Sequence, residues 1–253
     1  MGFFVILALS LGGSALAPIV LWSPLGLQRF RARWVHLVAP VLLKVLGVQV
    51  VTRFHSAPPW SPRGARAGMT VSNHISYLDV LVAAAQLPTL FVTSIEMRDE
   101  PFVGWICRLA GCVFVERRSP RRLRAEIAEL SALLRHGFHV VLFPEATSTR
   151  GTGVRPFRRA LFEAARDAAV PLWVAQVQYP EGVRMRVSYA EDDAFLPHLR
   201  RLLVTHELRA EWTWLSLLEG TEIVSHSSQE LASWAHSQIE AQFQPSPLLA
   251  SAI

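Results

Sequence analysis

Cysteine is scarce in this chain, and the sequence motifs that bind metals or exchange thiols are missing. Only Cys107 and Cys112 occur among the 253 residues, which is too few for a scaffold held together by disulfides. Their spacing fits no zinc or redox pattern, and the sequence contains neither HExxH nor CxxC. We therefore interpret both cysteines as buried, reduced thiols in a reducing compartment, and we expect no metal and no resident cofactor.

Charged side chains are absent from residues 2–28, and acidic side chains are absent before Asp79. As a helix, residues 2–22 would be about 32 Å long, close to the thickness of the hydrocarbon core of a bilayer. A cleaved signal peptide would need basic residues before a shorter apolar run, and a buried helix is the other alternative. We favour a membrane anchor, and the arginines that follow it place the rest of the chain in the cytoplasm.

Basic side chains follow the apolar segment and account for the net charge of +5. They form a collar of the kind expected beside anionic lipid headgroups, and they are Arg29, Arg31, Arg33, Lys44, Arg53, Arg63 and Arg66. A nucleic-acid groove would interleave aromatic and basic residues throughout, so we expect no nucleic-acid partner. Residues 34–48 are apolar except for His36 and Lys44, a pattern that predicts an amphipathic helix in the membrane interface.

The rest of the composition predicts a folded α/β domain. Hydrophobic residues make up 51% of the chain and charged residues 18%, which excludes a disordered protein. Residues 57–68 contain three prolines and two glycines and should form a loop. After this loop, short apolar runs alternate with helical patterns, which is typical of a mostly parallel central sheet flanked by helices.

Hydrophobic periods and turn residues assign the individual elements. The predicted strands are Met69–Ser72, Thr89–Ser94, Cys112–Val115, His139–Phe143, Pro171–Val177, Val183–Tyr189 and Leu208–Trp214. The predicted helices are Tyr77–Gln86, Glu100–Ala110, Arg121–Arg135, Phe157–Ala169 and Ser227–Gln242.

The segment from Asn73 to Asp79 (NHISYLD) follows a predicted strand and opens a predicted helix. A histidine beside a helix N-terminus tends to stay neutral near pH 7, as a general base must. In one continuous helix, residues five apart would point about 140° away from each other. His74 must therefore lie in the turn before the helix if Asp79 is to accept a hydrogen bond from its imidazole. The alternative is that Asn73 or Ser76 only caps the helix.

Two further polar segments follow predicted strands. Residues 143–151 (FPEATSTRG) come directly after a buried strand, where open α/β sheets place their ligands. In this segment Glu145 could anchor backbone amides or a substrate hydroxyl, or simply cap a turn. Residues 111–118 (GCVFVERR) end a strand with two arginines suited to binding a phosphate, although a solvated Glu–Arg pair is the alternative.

Together these segments resemble the motifs of the lysophospholipid acyltransferases, a family typified by 1-acyl-glycerol-3-phosphate acyltransferase. NHISYLD is similar to the NHxxxxD motif, and GCVFVER resembles the second block of that family. FPEATST resembles the third block, usually written FPEGTRS, and residues 170–175 (VPLWVA) resemble the fourth. The blocks occur in the order of the family and cover about residues 69–177.

The resemblance implies a membrane-bound O-acyltransferase of phospholipid biosynthesis, anchored in the bacterial inner membrane with its catalytic domain on the cytoplasmic face. It implies that His74, oriented by Asp79, deprotonates a lyso-lipid hydroxyl, which attacks the thioester of acyl-CoA or acyl-carrier protein without a covalent acyl-enzyme. Residues 1–56 would be N-terminal transmembrane or interfacial helices, 57–243 the catalytic domain and 244–253 a loose tail. The residues implied to contact substrate are Asn73, Arg117, Glu145, Thr147, Ser148 and Arg150, with Arg117 on the acceptor phosphate.

The third block departs from the family pattern. Ala146 replaces the usual glycine and Ser148 the usual arginine, although Arg150 stands two residues later. The resemblance implies lysophosphatidic acid or a related lysophospholipid as the acceptor. The missing arginine weakens the case for lysophosphatidic acid and leaves lyso-ornithine lipid or another phosphate-free lyso-lipid as the alternative. A serine hydrolase is disfavoured because no G-x-S-x-G motif occurs. A non-catalytic membrane-associated relative is disfavoured because both His74 and Asp79 are present.

Overall fold

Short runs of β-branched and aromatic residues, which pack well on a pleated surface, form a seven-stranded central sheet. The computed structural model describes residues 23–61, 64–100, 103–116, 119–190, 193–205 and 208–243. The strands of the sheet are β1 (Val48–Phe54), β4 (Gly68–Ser72), β5 (Leu90–Ser94), β6 (Val113–Val115), β7 (His139–Leu142), β8 (Leu172–Gln178) and β9 (Leu208–Leu218). A separate hairpin pairs β2 (Trp60–Ser61) with β3 (Gly64–Ala65).

The strand order is β1-β9-β8-β4-β7-β5-β6. Neighbouring strands are parallel, with the exception of the antiparallel pair of β8 and β9. This mostly parallel sheet confirms the predicted α/β class. Strands β4 and β7 lie side by side at the centre, so the segments that follow them meet at the same edge of the sheet.

Helices cover both faces of the sheet. They are α1 (Pro24–Val45), α2 (Leu78–Ala84), α3 (Ile95–Asp99), α4 (Val103–Ala110), α5 (Pro120–Arg135), α6 (Phe162–Ala168), α7 (Glu181–Val187), α8 (Phe195–Leu203), α9 (Gly220–Ile223) and α10 (Ser228–Glu240). The apolar sides of α5, α6 and α10 form a core with one face. Those of α1, α2 and α8 form a second core with the other face.

The structure corrects the prediction of a strand at residues 183–189, because most of this segment is the helix α7. Val183, Met185 and Val187 alternate with polar residues and glycine, which is the pattern of a half-buried strand. In the helix, Val183 and Val187 are four residues apart and share the side that packs on the core, whereas Met185 is exposed. The alternation was therefore misleading.

The N-terminal part of the described chain also differs from the prediction. The helix predicted for residues 34–48 belongs to the longer α1, which packs Ala39 and Leu43 on the sheet and ends at Val45. Residues 48–54 then form β1 and pair with β9, so the central sheet begins before the predicted domain boundary at residue 56. Valine and threonine in this segment favour a strand.

The membrane anchor predicted in residues 2–22 and the tail predicted at 244–253 both lie outside the described residues. In the part of the chain that is described, no helix combines the length and apolar character needed to cross a bilayer.

The structure also differs from the prediction that both cysteines are buried. Cys107 and Cys112 are free thiols, and each is of intermediate exposure.

Candidate active site

His74 lies in the turn between β4 and α2, before the helix begins. Its Nδ1 is 2.9 Å from Oδ2 of Asp79, which confirms the arrangement predicted from the five-residue spacing. The imidazole also stacks on the ring of Phe143, with centroids 4.3 Å apart. Because a carboxylate only accepts hydrogen bonds, this contact requires a proton on Nδ1, and a neutral imidazole so held has its lone pair on Nε2. With 19% of its side chain exposed, His74 can reach a substrate proton through Nε2.

Asp79 is fully buried, and both of its carboxylate oxygens are hydrogen-bonded. Oδ2 accepts from the backbone N–H groups of Ile75 at 2.6 Å and Ser76 at 2.8 Å, in addition to His74. Oδ1 accepts from the hydroxyl of Tyr179 at 2.6 Å. Such donors offset the cost of burying a carboxylate and fix its orientation.

Glu145 connects the segment after β7 to the histidine. Its Oε1 accepts from the backbone N–H of His74 at 2.7 Å, and its Oε2 accepts from that of Arg155 at 2.8 Å. Burial raises the pKa of the Glu145 carboxyl, and these backbone donors partly counteract the rise. The carbonyl of His74, which belongs to the next peptide group, accepts from the backbone N–H of Thr149 at 2.9 Å. The segment after β7 therefore binds both the backbone N–H and the backbone carbonyl of the histidine.

This geometry agrees with comparisons to known proteins. The family model described as Acyltransferase matches residues 50–188, which is more than half of the chain and includes His74, Asp79 and Glu145. The chain belongs to the acyltransferase family. A lyso-ornithine lipid O-acyltransferase of Rhodobacter capsulatus is 34% identical over 180 residues, which cover 67% of this chain and 63% of the relative.

Two further known proteins are similar to this chain, one in sequence and one in structure. A 1-acyl-sn-glycerol-3-phosphate acyltransferase of Neisseria gonorrhoeae is 32% identical over 136 residues, covering 53% of this chain and 52% of the relative. The match to each of these curated relatives thus spans less than two thirds of its length. The crystal structure of the 1-acyl-sn-glycerophosphate acyltransferase PlsC from Thermotoga maritima has a TM-score of 0.65 at 16% identity, covering 95% of this chain and 91% of that one. This last likeness confirms the fold.

In this member of the family, the side-chain amide of Asn73 is hydrogen-bonded within the protein. Its Nδ2 donates to the carbonyl of Val177 and its Oδ1 accepts from the N–H of Val177, both at 2.9 Å. Asn73 is 1% exposed. Its side chain therefore ties the turn after β4 to the end of β8, and its predicted contact with substrate stays a prediction.

The loop after Glu145 has an unusual backbone at the position where the family has glycine. Ala146 adopts a φ of 70°, in the left-handed region that favours glycine. The next two residues, Thr147 and Ser148, are half-buried, and the hydroxyl of Ser148 donates to the carbonyl of Tyr189. This loop thus keeps a glycine-like conformation although its sequence departs from the pattern.

Of the two arginines predicted to contact substrate, the structure describes Arg150 but not Arg117. Arg150 is 3.8 Å from the carboxylate of Asp193. The backbone N–H of Ala190, together with Arg150, lowers the pKa of that carboxyl. Arg117 lies outside the described residues, so its contact with an acceptor phosphate stays a prediction.

Sequence reasoning missed Tyr179, which lies directly after β8. A single tyrosine about 100 residues beyond the histidine motif carries no local signal of a role. The pairing of β4 with β8 brings the two segments together, and that pairing is a tertiary property. In the described part of the chain, no cluster of three or more His, Cys, Asp or Glu residues could hold a metal ion.

Proposed function

We propose that this chain transfers a fatty acyl group from an acyl thioester to the hydroxyl of a lyso-lipid. The observation that carries the proposal is the pair formed by His74 and Asp79, in which the buried carboxylate binds Nδ1 and leaves Nε2 for a substrate proton. Similarity to enzymes named as lyso-ornithine lipid and 1-acyl-sn-glycerol-3-phosphate acyltransferases supports the same reaction class.

In the proposed reaction, Nε2 of His74 takes the proton of the acceptor hydroxyl as its oxygen attacks the thioester carbonyl carbon. Asp79 stabilises the imidazolium that forms. The tetrahedral intermediate then collapses, the carbon–sulfur bond breaks, and the imidazolium returns its proton to the leaving thiolate. Holding both substrates beside one base supplies much of the rate enhancement. The proposed acyl donor is acyl-CoA or acyl-carrier protein.

The acceptor is lysophosphatidic acid or a related lysophospholipid, with lyso-ornithine lipid as a second candidate. Two features of the loop after Glu145 favour the second candidate. At the position of the usual family arginine, Ser148 offers a hydroxyl that already donates to a backbone carbonyl, and the nearby Arg150 faces Asp193. Both features reduce the positive charge that this loop offers to a phosphate.

The proposed site of action is the cytoplasmic face of the bacterial inner membrane. The outer side of α1 supports this proposal because Leu37 and Val41 are 65% and 44% exposed beside the exposed Arg33 and Lys44. Apolar and basic side chains on one helix face suit an anionic bilayer surface.

The decisive experiment is an acylation assay with the full chain in lipid vesicles. Lysophosphatidic acid and lyso-ornithine lipid should each be offered with acyl-CoA and with acyl-carrier protein, beside His74→Ala as the blank. We expect transfer to at least one acceptor, and wild-type transfer no greater than the blank with every combination would refute the proposal.

The ratio of kcat/KM for the two acceptors then identifies the substrate. Arg117→Lys should lower the ratio of lysophosphatidic acid to lyso-ornithine lipid if Arg117 binds a phosphate, because lysine reproduces a bidentate contact poorly. Ser148→Arg should raise the ratio by restoring the family residue. A ratio that neither change moves would remove both positions from the acceptor site.

A further inference from the structure

We propose that Tyr179 is a positioning residue that fixes the orientation of the Asp79 carboxylate, and that Asn73 sets the place of Tyr179. This inference rests on the proposed function of the His74–Asp79 pair and extends it to Tyr179 and to Asn73, which here acts on the protein rather than on the substrate. It is carried by two sets of hydrogen bonds that join residues 73–79 to the end of β8 and to Tyr179 directly after it.

The first set of hydrogen bonds involves Oδ1 of the Asp79 carboxylate. The hydroxyl of Tyr179 lies 2.6 Å from Oδ1 of Asp79, whereas the other donors to this side chain all bind Oδ2. Among the described residues, Tyr179 is the one donor that the structure gives to Oδ1. The two side chains belong to buried residues that are 1% and 0% exposed, so bulk water has no ready access to replace the phenol.

This contact determines how the histidine is held. A carboxylate that is bound through one oxygen retains some freedom to turn about its Cβ–Cγ bond, whereas donors on both oxygens fix its plane. A fixed plane keeps Oδ2 in line with Nδ1 of His74 and so favours the tautomer with the proton on Nδ1. That tautomer leaves the lone pair on Nε2, where a general base needs it.

The second set explains why Tyr179 is in the right place. Asn73 binds both backbone groups of Val177, and Tyr179 follows two residues later. The turn that contains His74 is therefore hydrogen-bonded to the end of β8, directly before Tyr179. Burial and the Asp79 charge also raise the pKa of Tyr179 well above its usual value, so the phenol stays a donor at the pH of the assay.

The kinetic test compares Tyr179→Phe with a matched control. The phenylalanine keeps the buried ring and removes only the hydroxyl, so we expect kcat to fall roughly 10-fold to 100-fold while KM for donor and acceptor stays within about twofold. Tyr77→Phe is the control, because its hydroxyl is 2.9 Å from Nδ1 of His198 rather than from Asp79. Both variants lose one tyrosine hydrogen bond, and Tyr77→Phe should retain near wild-type kcat.

A purely structural role for Tyr179 would lower stability without changing the histidine. We therefore add a readout that does not depend on activity, the ¹⁵N chemical shifts of the imidazole at alkaline pH. His74→Gln identifies its signals among the nine histidines. In wild type we expect one tautomer with the proton on Nδ1, and in Tyr179→Phe a mixture of both.

These measurements separate this inference from the proposed function. Unchanged kcat, or unchanged His74 imidazole shifts in folded Tyr179→Phe, would overturn the positioning role. If wild type acylates no lyso-lipid, the proposed function fails, whereas the NMR comparison still decides whether Tyr179 orients the pair. Asn73→Ala should produce the same mixture of tautomers, and a single wild-type tautomer in that variant would remove Asn73 from the inference.

Discussion

The carboxylate of Glu145 accepts a hydrogen bond from the backbone N–H of His74 at 2.7 Å. The contact joins two motifs that are 71 residues apart in the chain. Since the bond is to the backbone, it fixes the position of the histidine without occupying Nε2 of the imidazole. Glu145 thus serves as an anchor of backbone amides, one of the roles that its position after a strand predicts.

Glu145→Gln should destabilise the fold and slow the reaction. The carboxylate accepts from two backbone N–H groups, whereas a glutamine would turn its NH₂ toward one of them. We expect the free energy of unfolding to fall by about 1–3 kcal/mol, as measured by urea denaturation. Glu163→Gln, which breaks the solvent-accessible pair with Arg166, should cost at most about 1 kcal/mol. Equal losses in both variants would contradict the anchor role.

His74→Ala should reduce acyl transfer by about 10²–10⁴-fold because it removes the general base. Folding should persist, since Glu145 and Thr149 bind the backbone of residue 74 rather than its side chain. His236→Ala is the control, because its half-buried imidazole contacts the carbonyl of Val154 away from the pair. Near wild-type turnover in His74→Ala would disprove the mechanism.

Ala146→Gly should stabilise the protein. At a φ of 70° an alanine costs about 1–2 kcal/mol, and the greater flexibility of glycine in the unfolded chain removes about 0.5–1 kcal/mol of that gain. The unfolding free energy should therefore rise by up to about 1.5 kcal/mol. Ala128→Gly, on the exposed side of α5, should lower it by about 1 kcal/mol. A decrease in both variants would refute the strain at Ala146.

His139 should make stability depend on pH. It is 3% exposed, and burial lowers its pKa from 6.5 to about 4. Below pH 6.5 the unfolded chain binds a proton here and the folded chain does not, so stability is lost as the pH falls toward 4. The loss should approach about 3 kcal/mol.

The measurement for His139 is urea denaturation between pH 4 and pH 7. His139→Gln removes the titrating group, so its unfolding free energy should vary less over this range than that of wild type. His55→Gln, at an exposed position, should retain the wild-type slope. Parallel pH curves for wild type and His139→Gln would contradict the prediction.

The relation between His74 and Asp79 was predictable from sequence because it is local. They are five positions apart in the sequence, and helix geometry leaves one arrangement in which their side chains meet. The central strands were predictable for a similar reason, since runs such as residues 139–142 are buried on both faces and read as continuous apolar segments.

The remaining features depend on contacts between distant segments. The contribution of Tyr179 requires β8 to lie beside β4, and no local pattern encodes that neighbour. The sequence places the residues of β1 among the N-terminal helices, because the partner β9 lies near the other end of the described chain. The sequence predicts a strand where α7 forms, because a seven-residue segment is too short for alternation and helical spacing to be told apart.

The pairing of β1 with β9 has a consequence for biosynthesis. Val48 pairs with Leu208, so the ribosome must add about 160 residues before the partner strand exists, which takes about 8–32 s at 5–20 residues per second. During that time the first strand of the sheet presents an unpaired edge, which is a hazard for aggregation. A chain that stops before residue 208 should therefore aggregate rather than yield a smaller working enzyme.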